Sequence, residues 1–382
     1  MKAILQENKI IGTYSPDEAV FIGSAAAKYS KRIAIGRNGD SRAAEMALSA
    51  GIIASGSDVI SLGKCLETEL FFTSRLASCD LCLYIKEEPL MKIEVRTKGG
   101  LPIDRQCMEI ISSALHERKV PELLSSEGTV TDSRGFKDVY RRHIEGLLPS
   151  KCPYSIYISK SGKNGQKIHF PKTEGEELII QLSADGTKAS LYSDKSGFIS
   201  YETLIFICCL DILENGKDVA LPFEFPFAAD NLASKYGCRV YRYYSSPQDG
   251  CDEAARKLAR EQNFTLDGLY LALKSIKIAI DKELDLKGIT KLIPEFYTAK
   301  KFVELEKDRI DKILNHWEGN ITPGGTTFSK RESRVIMQPS SSGKGLWLQI
   351  ESRSMEAAEE LCGKIEEKLK TVSYTHLRAH ET

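Results

Sequence analysis

The chain has 382 residues, 53 Lys and Arg against 53 Asp and Glu, and an apolar fraction of 42%. That length suits two to four domains with well-buried cores. The balanced charge supplies no field toward nucleic acid or an anionic membrane surface, so the expectation is no nucleic acid and no membrane.

The first ten residues, MKAILQENKI, lack an apolar h-region and a small-residue cleavage site, so export is not expected. A helix starts at Ser15-Pro16-Asp17-Glu18, with Ser15 as N-cap, Pro16 at the first helical position and two acids at the positive dipole end. A strand over Arg32–Ile35 follows, then a helix from about Ser41 to Gly56, a strand over Asp58–Leu62, a helix over Leu66–Ala77 and a strand from Leu81. This βαβαβ order calls for a mostly parallel sheet covered on both faces. The last strand ends abruptly in Lys86, Glu87, Glu88 and Pro89. Carboxyl ends of strands are where ligands meet α/β sheets, so this position reads as an active-site position without a hydroxyl or thiol.

Lys92–Thr97 alternates like a solvent-facing strand, and helices are expected over Asp104–Glu117 and Phe136–Leu148. From Tyr154 to Ser193 short strands are separated by SGKNGQK and by Ala184-Asp185-Gly186-Thr187; the first loop lacks phosphate-loop spacing and reads as a turn. The apolar run Leu204–Leu213 is about half the ~20 residues a membrane span needs, and reads as a core helix. A third α/β unit then follows, with a strand at Asp218–Leu221, a helix over Ala228–Tyr236, a strand at Arg239–Tyr243 and helices over Asp252–Gln262 and Leu269–Asp281. Glu304–Trp317 reads as a helical connector, Ser333–Gln338 and Leu346–Glu351 as strands, and Met355–Leu369 as a helix. Val372–Thr382 has neither periodicity nor turn logic, resembles translated sequencing-adapter DNA, and is kept out of the fold argument.

The ten cysteines are scattered through apolar segments, as buried free thiols of a cytoplasmic protein would be. Cys79 and Cys82 form one CxxC without a second pair for zinc; within a strand they would point to opposite faces.

Three α/β units followed by a small α+β domain resemble the α-D-phosphohexomutases, the family of phosphoglucomutase and phosphomannomutase. The resemblance is strongest in IAIGRNGDSRAAEMALSAGIIASGSDVISLG, similar to the family's GRDTR segment, and continues in order through GFKDVYRRHIEGLL, TLDGLYLALKSI and RVIMQPSSSGKGLWLQIESRSMEAAEEL. It implies an α/β fold of three α/β/α units with mixed sheets, the second reduced, and a C-terminal α+β domain. The units are expected at 1–149, 150–215, 216–303 and 304–371.

In such mutases a phosphorylated serine sits in a T-A-S-H-N-P loop after the third parallel strand; here Lys86 takes the serine's place and only Pro89 matches. Tyr84, the nearest hydroxyl, lies about 6 to 7 Å back along the strand, too far for in-line transfer. The family's magnesium motif D-G-D-x-D-R keeps one carboxylate, Asp185, whose bland alternative is a hairpin turn. Glu261 matches weakly within the sugar-selecting loop, and an exposed helix end is the competing reading. The phosphate loop R-P-S-G-T-E-P corresponds to Gln338-Pro339-Ser340-Ser341-Ser342-Gly343-Lys344, in which Ser340, Ser341, Ser342 and Lys344 are the candidate phosphate ligands. Arg37, Arg42 and Lys86 would form a basic substrate pocket, partly cancelled by Glu87 and Glu88.

These replacements lead to the expectation of a non-catalytic phosphohexomutase-like protein of carbohydrate metabolism. It would bind a hexose phosphate or an unknown protein partner, without a cofactor, and with magnesium only if active. The alternatives are an active divergent phosphoglucomutase or phosphomannomutase, an intramolecular phosphotransferase, and a structural protein-binding homologue without ligand.

Overall fold

The computed structural model describes all residues except 1, 2, 7, 13, 14, 41, 88–90, 120–125, 161–167, 171–173, 246–249, 318, 323, 331, 332, 341–343 and 376–382. Two compact bodies form, one from residues 1–221 and 241–293, the other from 222–240 and 294–382. No described helix is long and apolar enough to cross a membrane.

The first body opens with a short hairpin, β1 (Ile4–Gln6) and β2 (Lys9–Ile11), then α1 (Pro16–Tyr29), β3 (Arg32–Arg37), α2 (Arg42–Ala54), β4 (Asp58–Lys64), α3 (Glu67–Leu76), β5 (Leu81–Lys86), β6 (Lys92–Thr97), α4 (Arg105–Glu117), β7 (Val130–Asp132) and α5 (Phe136–Glu145). At the start of α1 the Ser15 hydroxyl accepts from the Glu18 amide at 3.2 Å, the cap that the Ser-Pro-Asp-Glu run encodes. The seven strands lie in the order β1-β2-β6-β5-β3-β4-β7. β3, β4, β5 and β7 run parallel, while β6 and β2 are antiparallel neighbours, so the sheet is mixed. Ile33, Ile35, Leu81, Leu83 and Ile85 are fully buried beneath α1, α2 and α4, which accounts for the nearly continuous apolar character of β3 and β5.

A second sheet follows, built from β8 (Tyr154–Lys160), β9 (Ile168–His169), β10 (Glu176–Leu182), β11 (Ala189–Ser193) and β12 (Gly197–Ile199), in the order β12-β11-β10-β8-β9. β8 and β10 are parallel and the other pairs antiparallel. Helix α6 (Tyr201–Glu214) buries Leu204 through Leu210 without interruption, which is why its sequence is apolar on every side. Then come β13 (Val219–Pro222), α7 (Ala228–Lys235), β14 (Val240–Tyr243), α8 (Glu253–Gln262), α9 (Gly268–Asp281) and α10 (Leu286–Thr290), with β13 and β14 paired in a two-stranded sheet.

The second body carries α7 together with β15 (Tyr297–Glu304), α11 (Lys307–His316), β16 (Asn320–Thr322), β17 (Gly325–Lys330), β18 (Ser333–Pro339), β19 (Gly345–Ser352) and α12 (Met355–Thr375). Its sheet is antiparallel, in the order β15-β19-β18-β17-β16, and packs Val335, Met337, Leu348 and Ile350 against Ala358, Cys362, Ile365 and Leu369 of α12. Glu351 accepts from the Phe227 and Ala228 amides at 2.6 and 2.8 Å, capping α7 and fixing it to β19.

Several details differ from the sequence reading. β6 is not a solvent-facing strand: β2 covers its outer edge, and Ile93, Glu94 and Val95 are buried. Cys79 precedes β5, and it shares one buried cluster with Cys82 instead of facing away from it. The strand β15 lies where no strand was expected, pairing along its whole length with β19. The backbone of α12 continues to Thr375, into the segment left out of the fold argument. The SGKNGQK loop lies outside the described residues.

One contact places the β10–β11 turn. The Gly268 amide donates to the Gly186 carbonyl at 2.9 Å, and a β-carbon at Gly268 would lie 2.5 Å from the Lys188 carbonyl. The first turn of α9 therefore touches the turn backbone directly. Gly268→Ala is expected to destabilise the protein by about 2 kcal/mol through overpacking, measured as a lower urea midpoint with an unchanged slope.

Candidate functional site

A cavity of about 580 Å³ opens in the first body between the carboxyl ends of β3, β4 and β5, the start of α3 and the β10–β11 turn. Lys86, Lys64, Glu67, Glu69 and Asp185 line it, beside Asn38 and Tyr84. The sheet order explains this convergence: β3, β4 and β5 are adjacent and parallel, so their last residues meet at one edge.

Lys86 is the electrostatic centre. Its Nζ lies 2.6 Å from Glu67 Oε1 and 2.9 Å from Glu94 Oε1, with side-chain exposures of 24%, 4% and 6% for the three groups. Burial works against the ammonium, but the two carboxylates outweigh it and hold its pKa above the ordinary lysine value. The carboxylates are not equivalent. Glu94 also meets Arg96 at 3.2 Å and Lys9 at 3.9 Å; despite its burial, these cations hold it below the ordinary glutamate value. Among the described residues Glu67 is ion-paired with Lys86 alone, and its Oε1 makes that contact without hydrogen-bond alignment. Burial first, then repulsion from Glu94, pushes its carboxyl up to about 7.

Tyr84 lines the same cavity. Its hydroxyl donates to the Cys65 carbonyl at 2.7 Å, and burial raises its pKa further above the phenol range. The Cys65 thiol is likewise pushed up by burial, to about 12.

The loops after β3 and β5 are tied to each other. The Glu87 amide donates to Asn38 Oδ1 at 3.0 Å, and Glu87 Oε2 accepts from the Asp40 amide at 3.1 Å. A β-carbon at Gly39 would stand 1.8 Å from the Glu87 carboxylate, so only glycine lets it come this close. Glu87 thus occupies an amide near the start of α2 that could otherwise meet a ligand anion. Glu88 and Pro89 lie outside the described residues.

Among the other sequence candidates, Arg37 is buried and donates through Nε to Glu45 at 2.7 Å, while Arg42 is exposed at the start of α2; neither lines the cavity. Glu261 is exposed near the end of α8, and its neighbour Gln262 holds β13 by bonding the Ala220 amide and the Asp218 carbonyl. In the second body, Ser340 and Lys344 stand at the two ends of the β18–β19 hairpin loop, with the Ser340 amide donating to the Gly345 carbonyl and the Lys344 carbonyl accepting from Leu305. Ser341 and Ser342 lie outside the described residues. The cavity thus brings together Lys86 and Asp185 from the sequence candidates and adds Glu67, Glu69 and Lys64, with Glu94 holding Lys86 from β6.

Asp185 faces this cavity from a hairpin turn and is bound by that turn. Its Oδ1 accepts from the Ser183 hydroxyl at 2.6 Å, the Thr187 amide at 3.0 Å and the Thr187 hydroxyl at 2.8 Å; despite burial, these bonds lower its pKa. One oxygen of this carboxylate is thus taken by the turn and the Lys86 ammonium acts on the group, so the turn has one carboxylate oxygen left to offer a magnesium ion. Among the described residues, no group of three or more His, Cys, Asp or Glu side chains could hold a metal ion.

No family model and no curated protein matches the sequence. Solved structures do match the fold. A phosphoglucomutase/phosphomannomutase family protein from Burkholderia thailandensis superposes with a TM-score of 0.72 at 14% identity, covering 97% of this chain and 99% of its own. A putative phosphomannomutase from Thermus thermophilus gives 0.66 at 14% identity over 94% and 95%. The exocytosis-sensitive phosphoprotein pp63/parafusin from Paramecium, a phosphoglucomutase in an open form, gives 0.56 at 11% identity over 94% and 92%. The chain has the phosphohexomutase fold.

The Glu67 proton gives a measurable pH signature. A carboxyl whose folded pKa stands above its unfolded value binds more protons in the folded state, so its contribution to stability falls as pH rises from the unfolded pKa to the folded one. Between about pH 5 and pH 7, wild type is expected to lose about 2 kcal/mol of stability relative to Glu67→Gln. Urea midpoints of the two proteins across that window test this; a constant difference would show that Glu67 is an ordinary carboxylate.

Proposed function

From the phosphohexomutase fold and the chemistry of the Lys86 cavity, we propose a phosphohexomutase-like protein of sugar-phosphate metabolism that binds a hexose phosphate without transferring its phosphoryl group. The observation that carries this reading is Lys86, an ammonium held between Glu67 and Glu94 at the end of β5. A phosphoryl acceptor needs an oxygen or other nucleophile with a free electron pair, and a doubly ion-paired ammonium has none. Tyr84 donates its hydroxyl elsewhere, and positioning is most of what phosphoryl transfer asks of a protein.

The charged groups lining the cavity favour a sugar over a phosphate. With Glu67 ionised, Lys64 and Lys86 face Glu67, Glu69 and Asp185, so the lining has no surplus of positive charge. Ser183, Asn38 and the carboxylates instead offer donors and acceptors suited to hydroxyls. The loop of Ser340, Ser341, Ser342 and Lys344 in the second body is by its composition a separate candidate for binding a phosphate group, and Lys344 is exposed. The free cysteines, eight of ten buried, suit a reducing cytoplasm.

Thermal-shift titration of wild type and Lys344→Ala with glucose and mannose phosphates, with and without Mg²⁺, tests the reading. Wild type is expected to gain about 2.7 kcal/mol at a hundred times Kd, independently of Mg²⁺, and Lys344→Ala to lose most of it. Absence of a shift would overturn sugar-phosphate binding. A phosphorylated protein, detected by intact mass after incubation with a hexose bisphosphate, would overturn the non-catalytic assignment.

A further inference from the structure

The sheet β12-β11-β10-β8-β9 has one face buried, and among the described residues those on its other face are exposed or half-exposed. Leu178, Ile180, Leu182, Leu191 and Ile156 alternate inward and are buried. Helices α6 and α9 pack on each other and on this sheet. The residues between them point the other way.

The hydrogen-bonding register aligns those outward residues into a single row across all five strands. Phe198 stands opposite Tyr192, Tyr192 opposite Ile179, Ile179 opposite Tyr157, and Tyr157 opposite His169. Phe198 is 67% and Tyr192 47% exposed, and His169 is exposed as well. The Tyr157 and His169 rings touch, with centroids 5.1 Å apart, and Ser155 Oγ lies 3.3 Å from His169 Nε2. The Tyr192 hydroxyl donates to Asp194 at 3.4 Å. Tyr157, His169 and Tyr192 are thus held by neighbours, and with Phe198 they form a continuous row, not single exposed apolar residues scattered over a surface.

Polar rows border the aromatic one on both sides. Ser190, Gln181 and Ser159 are in register on one side, and Glu177 is opposite Ser155 on the other. None of these five border residues is Lys or Arg, and nearby Lys195 is paired with Glu176 at 2.9 Å. A polyanion therefore finds no counter-charge on these rows, whereas a nucleic-acid platform combines stacking aromatics with basic groups. The chemistry that matches is a chain of flat apolar ring faces edged by hydroxyls.

We propose that this sheet face binds a neutral glycan chain, with Phe198, Tyr192 and Tyr157 stacking on its sugar rings and Gln181, Glu177 and the flanking serines receiving their hydroxyls. Adjacent strands are about 4.8 Å apart, so the row spans about 19 Å, and Tyr192 and Tyr157, two strands apart, are separated by about 9.6 Å. Such a spacing is commensurate with every second ring of an extended glycan. Aromatic side chains suit this task because they present large rigid faces at low entropic cost. The face is separate from the Lys86 cavity, so this inference stands or falls independently of the proposed function.

Affinity electrophoresis of the full chain through gels containing soluble starch, xylan or hydroxyethyl cellulose tests it, with Phe198→Ala and Tyr192→Ala as variants. Both residues are exposed, and equal urea midpoints verify that the variants fold. Wild type is expected to be retarded by at least one neutral glycan, and each variant to bind at least fivefold more weakly. No retardation by any of the three, or retardation equal in wild type and both variants, overturns the proposal. So does a dimer in sedimentation analysis that both substitutions dissolve, which would give the face to a second copy of the chain, or retention on single-stranded RNA in place of glycan.

Discussion

A single ammonium shared by two buried carboxylates organises the candidate site. β5 brings Lys86, β6 brings Glu94 from the antiparallel neighbour, and α3 brings Glu67 at its first helical residue. One positive charge cannot satisfy two carboxylates in a low-dielectric setting, so a proton must supply the rest unless other cations do. Arg96 and Lys9 do so for Glu94, which leaves Glu67 as the group poised near neutral pH. The arrangement stabilises a lysine at the carboxyl end of β5. Removing either carboxylate would weaken that lysine's hold, and removing the lysine would leave two desolvated anions.

Fold and sequence have separated in this chain. The shared architecture rests on apolar strands beneath helices, a requirement that many sequences meet, which is why a TM-score of 0.72 accompanies 14% identity. Transfer chemistry rests on a few polar atoms held on loops, where single replacements suffice to lose it. The turn of Asp185 shows the difference: its backbone is locked by Gly268 and by three hydrogen bonds to one carboxylate oxygen, while it carries a single carboxylate.

Local signals carried the reading of the sequence where the structure is locally determined. Ser15-Pro16-Asp17-Glu18 marks a capped helix start because the cap bond spans three residues, and the alternating or continuous apolar runs of β3, β5, β18 and β19 mark strands for the same reason. What escaped was non-local. β15 is a strand because β19 pairs with all eight of its residues, and its own composition, YTAKKFVE, gives little sign of it. Glu94 reads as solvent-facing until β2 is known to cover β6. The one available hint was pairing geometry: a hairpin joining 81–86 to 92–97 sets Glu94 opposite Tyr84 and diagonal to Lys86.

The β10–β11 hairpin links the two regions of the first body discussed above. Its turn presents Asp185 to the cavity, and its strands carry Ile179 and Tyr192 on the outward face and Ile180 and Leu191 in the core. Side-chain direction in a strand has period two, so a slip of one residue would turn Tyr192 inward and Leu191 outward at once. Burial of Leu178, Ile180, Leu182 and Leu191 opposes that slip, and Gly268 holds the turn in place. A single register, enforced by the core, therefore fixes both the carboxylate that faces Lys86 and the aromatic row that faces away from the helices.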